Sequence, residues 1–190
     1  IENLKQNNSA RSGDTLFLTK PLGVGIISTA IKRGTAQASD VELASQSMRS
    51  LNGIGPSLAR VKGVNALTDV TGFGLLGHLT EIMTASALDA EIFWSQIPKL
   101  PNLERYVDED CVPGGTGRNY ASIAQHLPTL SETQRAILCD PQTSGGLLVT
   151  VEPEAVDEVA AILEGAGLPF NQIGRLNQQL NEKATLKLSD

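Results

Sequence analysis

The stretch TDVTGFGLLGHLTEIM, residues 68–83, joins the end of one predicted element to the start of another. Residues 65–70, NALTDV, are predicted to form a brief strand that leads into this stretch. The apolar residues of the second half recur at helical spacing and share one face: Leu75, Leu76, Leu79, Ile82 and Met83. The stretch therefore predicts a strand, a turn containing glycines, and a helix, with Asp69 where the strand ends.

The position of Asp69 allows two interpretations. Gly72 and Gly74 let the backbone bend and let a ligand approach it closely. The start of a helix favours anions, and a carboxylate beside it can bind a hard cation that also holds phosphate oxygens. Alternatively, Asp69 only caps the helix and the glycines only fit a tight turn. Spacing alone does not decide between a metal ligand and a cap.

The rest of the chain alternates predicted strands and helices. Helices are predicted at residues 24–33, 38–52, 55–63, 119–127 and 153–167, and strands within 14–23, 89–98, 139–151, 170–176 and 185–189. Ser39 or Asp40 is the predicted N-cap of the second helix, and residues 112–119 are predicted to be a loop. Connections of varied length, with several strand pairs antiparallel, favour an α+β fold with a mixed β-sheet flanked by helices.

Composition narrows the classes of partner. The 190 residues carry a net charge of −6 and no basic stripe, which argues against nucleic acid binding. No apolar run approaches the roughly 18–20 residues that span a bilayer, and no signal peptide is visible, so we expect a cytoplasmic protein that does not contact a membrane. A small-molecule partner fits this composition better.

Several other residues have both a structural and a functional interpretation. Cys111 and Cys139 are predicted to be reduced structural thiols, since no histidine lies near either in sequence to activate it. His78 is predicted to pack or to form a hydrogen bond. TSGG (143–146) either presents N–H groups to an oxyanion or forms a tight turn before a strand. Arg118 either contacts phosphate or is solvated at a helix start.

Five segments resemble, in the same order, the C-terminal half of the selenophosphate synthetase (selenide, water dikinase) family. They cover the chain from about residue 13 to near its end: TLFLTKPLGVGI (15–26), ALTDVTGFGLLGHL (66–79), IPKLP (97–101), VPGGTGRN (112–119) and LCDPQTSGGLLV (138–149). The Asp, Thr and Gly pattern alone also suits related ATP-using proteins of the aminoimidazole ribonucleotide synthetase-like group. The resemblance implies a fold similar to the C-terminal domain of that group.

The resemblance also implies an activity and a site. Family members make selenophosphate, AMP and phosphate from ATP, selenide and water, with Mg²⁺. The aspartate that matches Asp69 is a magnesium ligand in the family, and we predict that Thr71, Gly72 and Gly74 of the same motif bind the nucleotide. The family nucleophile (cysteine or selenocysteine), a lysine, a glycine-rich segment and further metal-binding aspartates belong to the N-terminal half. No catalytic residue is predicted in this chain.

The first residue, Ile1, and the polar stretch after it suggest a piece of a longer protein. We predict that residues 1–13 are a linker from an N-terminal half, that residues 14–190 are the C-terminal α+β domain, and that the chain alone is inactive. The complete protein is expected to be a homodimer, mainly through the other half. The alternatives are a non-catalytic module that binds a nucleotide or another domain, and a different ATP-dependent enzyme of the same fold group.

Overall fold

A computed structural model describes residues 4–190. Its elements follow in chain order: β1 (Thr15–Leu18), α1 (Val24–Arg33), α2 (Ala38–Arg49), α3 (Gly55–Arg60), β2 (Val64–Asp69), α4 (Gly74–Ser86), β3 (Leu88–Phe93), α5 (Leu103–Asp108), α6 (Gly114–Ile123), α7 (Glu132–Leu138), β4 (Leu147–Val151), α8 (Val156–Gly165), β5 (Gln172–Gln178) and β6 (Leu186–Ser189). None of the helices in this part of the chain has the length and apolar character needed to cross a bilayer.

The strands form one six-stranded mixed sheet in the order β2-β4-β1-β5-β3-β6. All neighbouring pairs are antiparallel except β3 and β6, which run parallel. Helices cover the sheet, so the predicted α+β fold with a mixed sheet flanked by helices is confirmed. The register of β2 on β4 sets Asp69 opposite Leu147, which places the ends of two distant sequence motifs side by side.

Alternating side chains of the sheet build two apolar layers. In β1, Leu16 and Leu18 belong to one buried cluster, while Phe17 belongs to the other. This alternation follows from the two-residue period of a strand, whose successive side chains point to opposite faces. Helices α1 and α4 contribute to the larger cluster, and α3 and α8 contribute to the smaller one. The predicted apolar face of α4 is buried in the larger cluster.

The predicted loop at residues 112–119 is wrong, because α6 begins at Gly114. Its first turn contains three glycines, which have low helix propensity, so the local sequence indicated a loop. Thr116 and Ile123 are buried, and tertiary packing therefore outweighs propensity.

The short helices α5 and α7 were not predicted, although Ser131 and Gln134 form a capping box at the start of α7. The run predicted as a strand to residue 98 leaves the sheet after Phe93.

The predicted N-cap of α2 is also wrong. Gln37 precedes the helix, and Asp40 instead lies inside the first turn with its side chain buried. Its carboxylate accepts hydrogen bonds from the Tyr106 hydroxyl at 2.7 Å and from the Asn102 amide at 3.0 Å. Burial raises the pKa of Asp40, but these hydrogen bonds outweigh it and leave the pKa below its usual value. Asp40 thus ties α2 to α5.

The described part of the predicted linker contacts the domain. The backbone N–H of Gly13 donates to the Leu176 carbonyl at 2.8 Å, and the Asn7 amide donates to Glu81 at 3.2 Å. Ala10 is buried in the larger apolar cluster. Residues 1–3 of the predicted linker lie outside the described residues, and its role stays a prediction.

Candidate functional site

Asp69 ends β2 as an exposed residue at the edge of the sheet. Within residues 4–190, no side chain or backbone N–H donates a hydrogen bond to its carboxylate. Helix α4 begins five residues later at Gly74, and Phe73 is its N-cap without a side-chain capping bond. The alternative in which Asp69 caps this helix is therefore wrong. The carboxylate is available to a ligand.

The motif that follows Asp69 packs directly on the motif that precedes β4. We call residues 69–74 and 139–146 the paired loops. The Val70 N–H donates to the Gly146 carbonyl at 2.8 Å, and the Gln142 N–H donates to the Thr71 carbonyl at 3.0 Å. Gly145 lies so close that a Cβ at this position would overlap the Val70 carbonyl oxygen. Two motifs that are more than 60 residues apart in sequence therefore form one surface.

Asn119 bridges the two loops. Its side-chain amide donates to the Gly72 carbonyl at 2.8 Å and to the Cys139 carbonyl at 3.1 Å. Since one NH₂ group has two hydrogens, it can hold both carbonyls at once. Asn119 was not predicted to be a site component, because it was expected at the end of a loop rather than inside α6. The motif VPGGTGRN that contains it was the available signal.

Gly72 and Gly74, two predicted nucleotide-binding residues, differ in what the fold requires of them. Gly74 has φ +72°, and a Cβ there would lie 2.8 Å from the carbonyl carbon of Cys139. The fold therefore requires glycine at position 74. Gly72 has no positive φ, and a Cβ there would meet no atom within 4 Å. The described chain does not explain a glycine at position 72.

His78 contacts Thr71 across the turn, which confirms its predicted hydrogen-bonding role. Its ring is buried on α4, and its Nε2 lies 3.1 Å from both the backbone nitrogen and the hydroxyl oxygen of Thr71. Thr71, the third predicted nucleotide-binding residue, is thus held by a side chain on one side and by Gln142 on the other.

Asp140 anchors the second loop below the surface. It is fully buried, and its carboxylate accepts a hydrogen bond from the Gly25 N–H at 2.9 Å in the first turn of α1. The Gln142 side chain donates to the same oxygen at 2.8 Å. Burial raises the pKa of Asp140 to about 7, although these donors oppose the rise. Its other oxygen has no hydrogen-bond partner within the described residues.

The TSGG segment (143–146) bends at Thr143 and Ser144 before β4, with Ser144 in the left-handed region at φ +51°. The buried Lys20 ammonium donates to the Ser144 carbonyl at 2.8 Å and to the Ser50 carbonyl at 2.6 Å. The Asn52 side chain donates to the Gly145 carbonyl at 3.0 Å. These contacts hold the segment in a bend before the strand, and both the tight turn and the contact with an oxyanion stay predictions.

Within the described residues, neither of the two cysteines nor Arg118 forms a hydrogen bond or an ion pair with Asp69. Cys111 and Cys139 are both free and fully buried. Burial raises the pKa of Cys139 to about 12, so this thiol stays protonated near neutral pH. Arg118 is exposed inside α6 rather than at its start, and whether it contacts phosphate stays untested.

At this surface, the Asp69 carboxylate can supply an oxygen ligand to a metal ion. Residues 4–190 contain no group of three or more His, Cys, Asp or Glu side chains that could hold a metal ion. Magnesium is usually bound through one or two carboxylates together with water and substrate phosphates, so a single exposed aspartate fits part of such a site. The remaining protein ligands would have to come from elsewhere in a complete protein.

Solved structures with this fold include several kinases and maturation proteins. A thiamine-monophosphate kinase from Stenotrophomonas maltophilia matches 97% of this chain with a TM-score of 0.67 and 16% sequence identity, over 52% of its own length. HypE in the HypE–HypF complex matches 96% of this chain with a TM-score of 0.68 and 15% identity, over 52% of its own length. At these identities the similarity shows the fold alone.

Closer relatives are found by sequence. A selenide, water dikinase from Photorhabdus laumondii is 46% identical over 190 residues, which are all of this chain and 55% of the relative. Another, from a Shewanella species, is 52% identical over 176 residues, which are 93% of this chain and 50% of the relative. The chain therefore spans about half the length of the curated relatives it matches. The model of the family "AIR synthase related protein, C-terminal domain" matches residues 11–187, so the chain belongs to this family.

Proposed function

We propose that this chain is the C-terminal half of an enzyme that forms selenophosphate from ATP, selenide and water, with AMP and phosphate as co-products. The support is the identity of 46–52% to proteins named selenide, water dikinase, which are about twice as long. Residues 14–190 would be the C-terminal domain and residues 1–13 the linker to an N-terminal half. The same proposal includes a cytoplasmic location and a homodimer of the complete protein.

Asp69 is the proposed magnesium ligand. The single observation that carries this assignment is an exposed carboxylate with no hydrogen-bond donor among the described residues, held at the edge of two packed loops. When bound, magnesium neutralises and positions the phosphates of ATP. The role of this chain is to present the Asp69 carboxylate in a fixed direction, because β2 and Asn119 restrain the backbone on either side of it.

Thr71, Gly72 and Gly74 are the proposed nucleotide-binding residues beside Asp69. Gly72 supports this role most directly, because the fold leaves open space where its Cβ would be. A phosphate can approach a glycine backbone more closely than it can approach any other residue. At position 74 the positive φ and the close approach of Cys139 already require a glycine, so a bound ligand is not needed to explain this residue.

The chain alone is proposed to be inactive. Phosphoryl transfer needs several groups that neutralise charge and position the phosphates, and one carboxylate is insufficient. In the resembling family the nucleophile, a lysine and further metal-binding aspartates lie in the other half. ATP or selenide turnover by the isolated chain above a no-protein control would contradict this part of the proposal.

The central experiment compares Asp69→Asn and Asp69→Ala in the complete protein. Asparagine keeps the size of the side chain but removes the charge that a hard cation needs. We expect both variants to melt as the wild type does and to lose magnesium-dependent AMP formation by roughly 100-fold, the scale for losing one electrostatic group of an active site. Asp108→Asn, which changes another exposed aspartate at the end of α5, is the matched control.

Wild-type turnover in a folded Asp69→Asn variant would reject the metal-ligand assignment. The same assay with other phosphate acceptors in place of selenide separates the proposed enzyme from a different ATP-dependent enzyme of the same fold group. If the complete protein binds ATP without consuming it under any of these conditions, the non-catalytic module is the correct alternative.

A further inference from the structure

His78 is the buried titratable group beside the paired loops that the proposed chemistry does not use. It lies in the second turn of α4 with 7% of its surface exposed, and the Phe73 ring meets it edge-on with centroids 5.9 Å apart. Its Nε2 faces two atoms of Thr71, the backbone nitrogen and the hydroxyl oxygen, each at 3.1 Å. The contact therefore reaches back seven residues, across the whole turn.

The contact determines where the proton of the ring lies. A backbone N–H can only donate, so Nε2 must present its lone pair to Thr71. A neutral imidazole with an unprotonated Nε2 carries its proton on Nδ1. Nδ1 has no hydrogen-bond partner within the described residues, and the nearest carboxylate oxygen, on the exposed Glu81, is 3.8 Å away. Burial lowers the pKa of His78 despite the carboxylates of Glu81 and Asp69, which agrees with a neutral ring.

The contact completes the hydrogen bonding of Thr71. The Thr71 carbonyl already accepts from the N–H groups of Gln142 and Gly74, both at 3.0 Å. Within the described residues the Thr71 N–H donates to His78 and has no other acceptor, so without His78 it would be unpaired at a partly buried position. An unpaired backbone donor favours a different local conformation. Thr71 lies two residues after Asp69, so its orientation controls how the chain leaves the strand.

We infer that His78 is a positioning residue: its neutral imidazole accepts the Thr71 N–H and thereby holds the turn between Asp69 and α4 in one conformation. That this conformation serves metal and nucleotide binding rests on the proposed function. The hydrogen bond itself does not rest on it, so the two parts can be tested separately.

The first test is a ¹⁵N NMR measurement of the imidazole tautomer in this chain near neutral pH. We expect the His78 Nε2 to show the shift of an unprotonated ring nitrogen and Nδ1 to show that of a protonated one. A proton on Nε2 would overturn the inference outright. His126, whose Nδ1 lies 2.7 Å from the Ala184 carbonyl, provides an internal reference for a ring whose Nδ1 carries the proton.

The second test compares two substitutions by hydrogen exchange. His78→Leu removes the acceptor, and we expect the Thr71 amide to exchange about 10-fold faster or more. His78→Gln keeps an acceptor oxygen and should restore much of the protection. The matched control, His126→Gln, should leave Thr71 unchanged. Equal exchange in His78→Leu and wild type, or equal exchange in the Leu and Gln variants, would contradict the role. If His78→Leu does not fold, the tautomer measurement and the exchange of the Thr71 amide in His78→Gln test the role of His78.

The third test measures the KM for ATP and kcat in the complete protein. At the same magnesium concentration, His78→Leu should change these two constants. His78→Gln should bring them back toward the wild-type values, just as it restores the protection of the Thr71 amide against exchange. Loss of protection without any change in kcat or KM would reject the positioning role. A silent Asp69→Asn variant would instead reject the proposed function, while the tautomer and exchange results would still test the His78 contact.

Discussion

Asp140 and Glu91 are both buried carboxylates, yet the pKa of one is raised and that of the other is lowered. Asp140 is 0% exposed with a pKa of about 7, and Glu91 is 6% exposed with a pKa of about 2. Asp140 lies in the paired loops, whereas Glu91 lies on β3 at the other end of the sheet. A low exposed fraction is therefore not enough to set the direction in which the pKa shifts.

The depth of the two carboxylates and their partners together explain the difference, because Glu91 pairs with two exposed cations at the surface whereas Asp140 lies deep in the protein. The strongest influences on Glu91 are hydrogen bonds from Lys187, Ser189 and Arg175, which stabilise its charge more than burial destabilises it. Burial is the largest influence on the pKa of Asp140, and its donors, the backbone N–H groups of Gly25 and Ile26 and the Gln142 amide, are neutral. Lys187 and Arg175 carry positive charge, and an opposite charge close to a carboxylate favours its ionised form.

The two regions also differ in how fully their polar atoms are satisfied. Within residues 4–190, buried side-chain atoms without a partner include Asp140 Oδ1, Gln142 Oε1 and His78 Nδ1, all in or beside the paired loops. Both oxygens of Glu91 accept hydrogen bonds. Native proteins tend to leave such polar groups incompletely paired where function demands it. The comparison therefore favours the paired loops over the Glu91 end as the functional region.

The strongest way to break the paired loops is Gly145→Ala. A Cβ at this position would overlap the Val70 carbonyl oxygen, so the loops must move apart. We expect the free energy of unfolding to fall by about 2–3 kcal/mol, the upper range for overpacking. Chemical denaturation measures this change. Gly72→Ala, in the facing loop and in open space, is the control and should unfold near the wild-type midpoint. Equal midpoints for the two variants would refute the close packing of the loops.

A pH scan of stability should show opposite slopes from the two carboxylates. Asp140 has a folded pKa above its unfolded value, so its contribution is complete below about pH 4 and is lost as the pH rises through about 7. Glu91 has a folded pKa below its unfolded value, so its contribution is present above about pH 4.5 and is lost as the pH falls through about 2.

The variants assign each slope to its residue. Asp140→Asn should flatten the decline in the free energy of unfolding between pH 4 and 7, and Glu91→Gln should flatten the rise between pH 2 and 4.5. At pH 7 we expect Glu91→Gln to lower the free energy of unfolding by about 1.5–3 kcal/mol, the range for hydrogen bonds to charged groups. Denaturation in urea at each pH measures these differences. Slopes that persist in both variants would show that other groups control the pH dependence.

The smallest expected effect on turnover concerns the cysteines. Replacing Cys111 and Cys139 by alanine removes two buried thiols, and we expect a loss of stability of about 1 kcal/mol per site. Turnover of the complete protein should stay near the wild-type value, because burial keeps the Cys139 thiol protonated. A large loss of activity in a folded double variant would contradict the structural role of the thiols.

Much of the fold was predictable because its signals are local. The apolar spacing of α4 and the short runs of β2 and β4 predict their own element types, and the structure confirms them. The failures have local causes as well. The glycines at the start of α6 indicated a loop, and Asp40 indicated a helix cap, but packing against the rest of the chain reversed both.

The sequence by itself determined the α+β class, the place of Asp69 at the end of a strand, and the family resemblance, because each depends on neighbouring residues or on the order of motifs. Only the tertiary structure decided that residues 69–74 pack on residues 139–146, that Asn119 bridges them, and that His78 accepts from Thr71. It also decided that Asp69 does not cap α4. These features depend on strand register and on helices joined through the core, which no local pattern encodes.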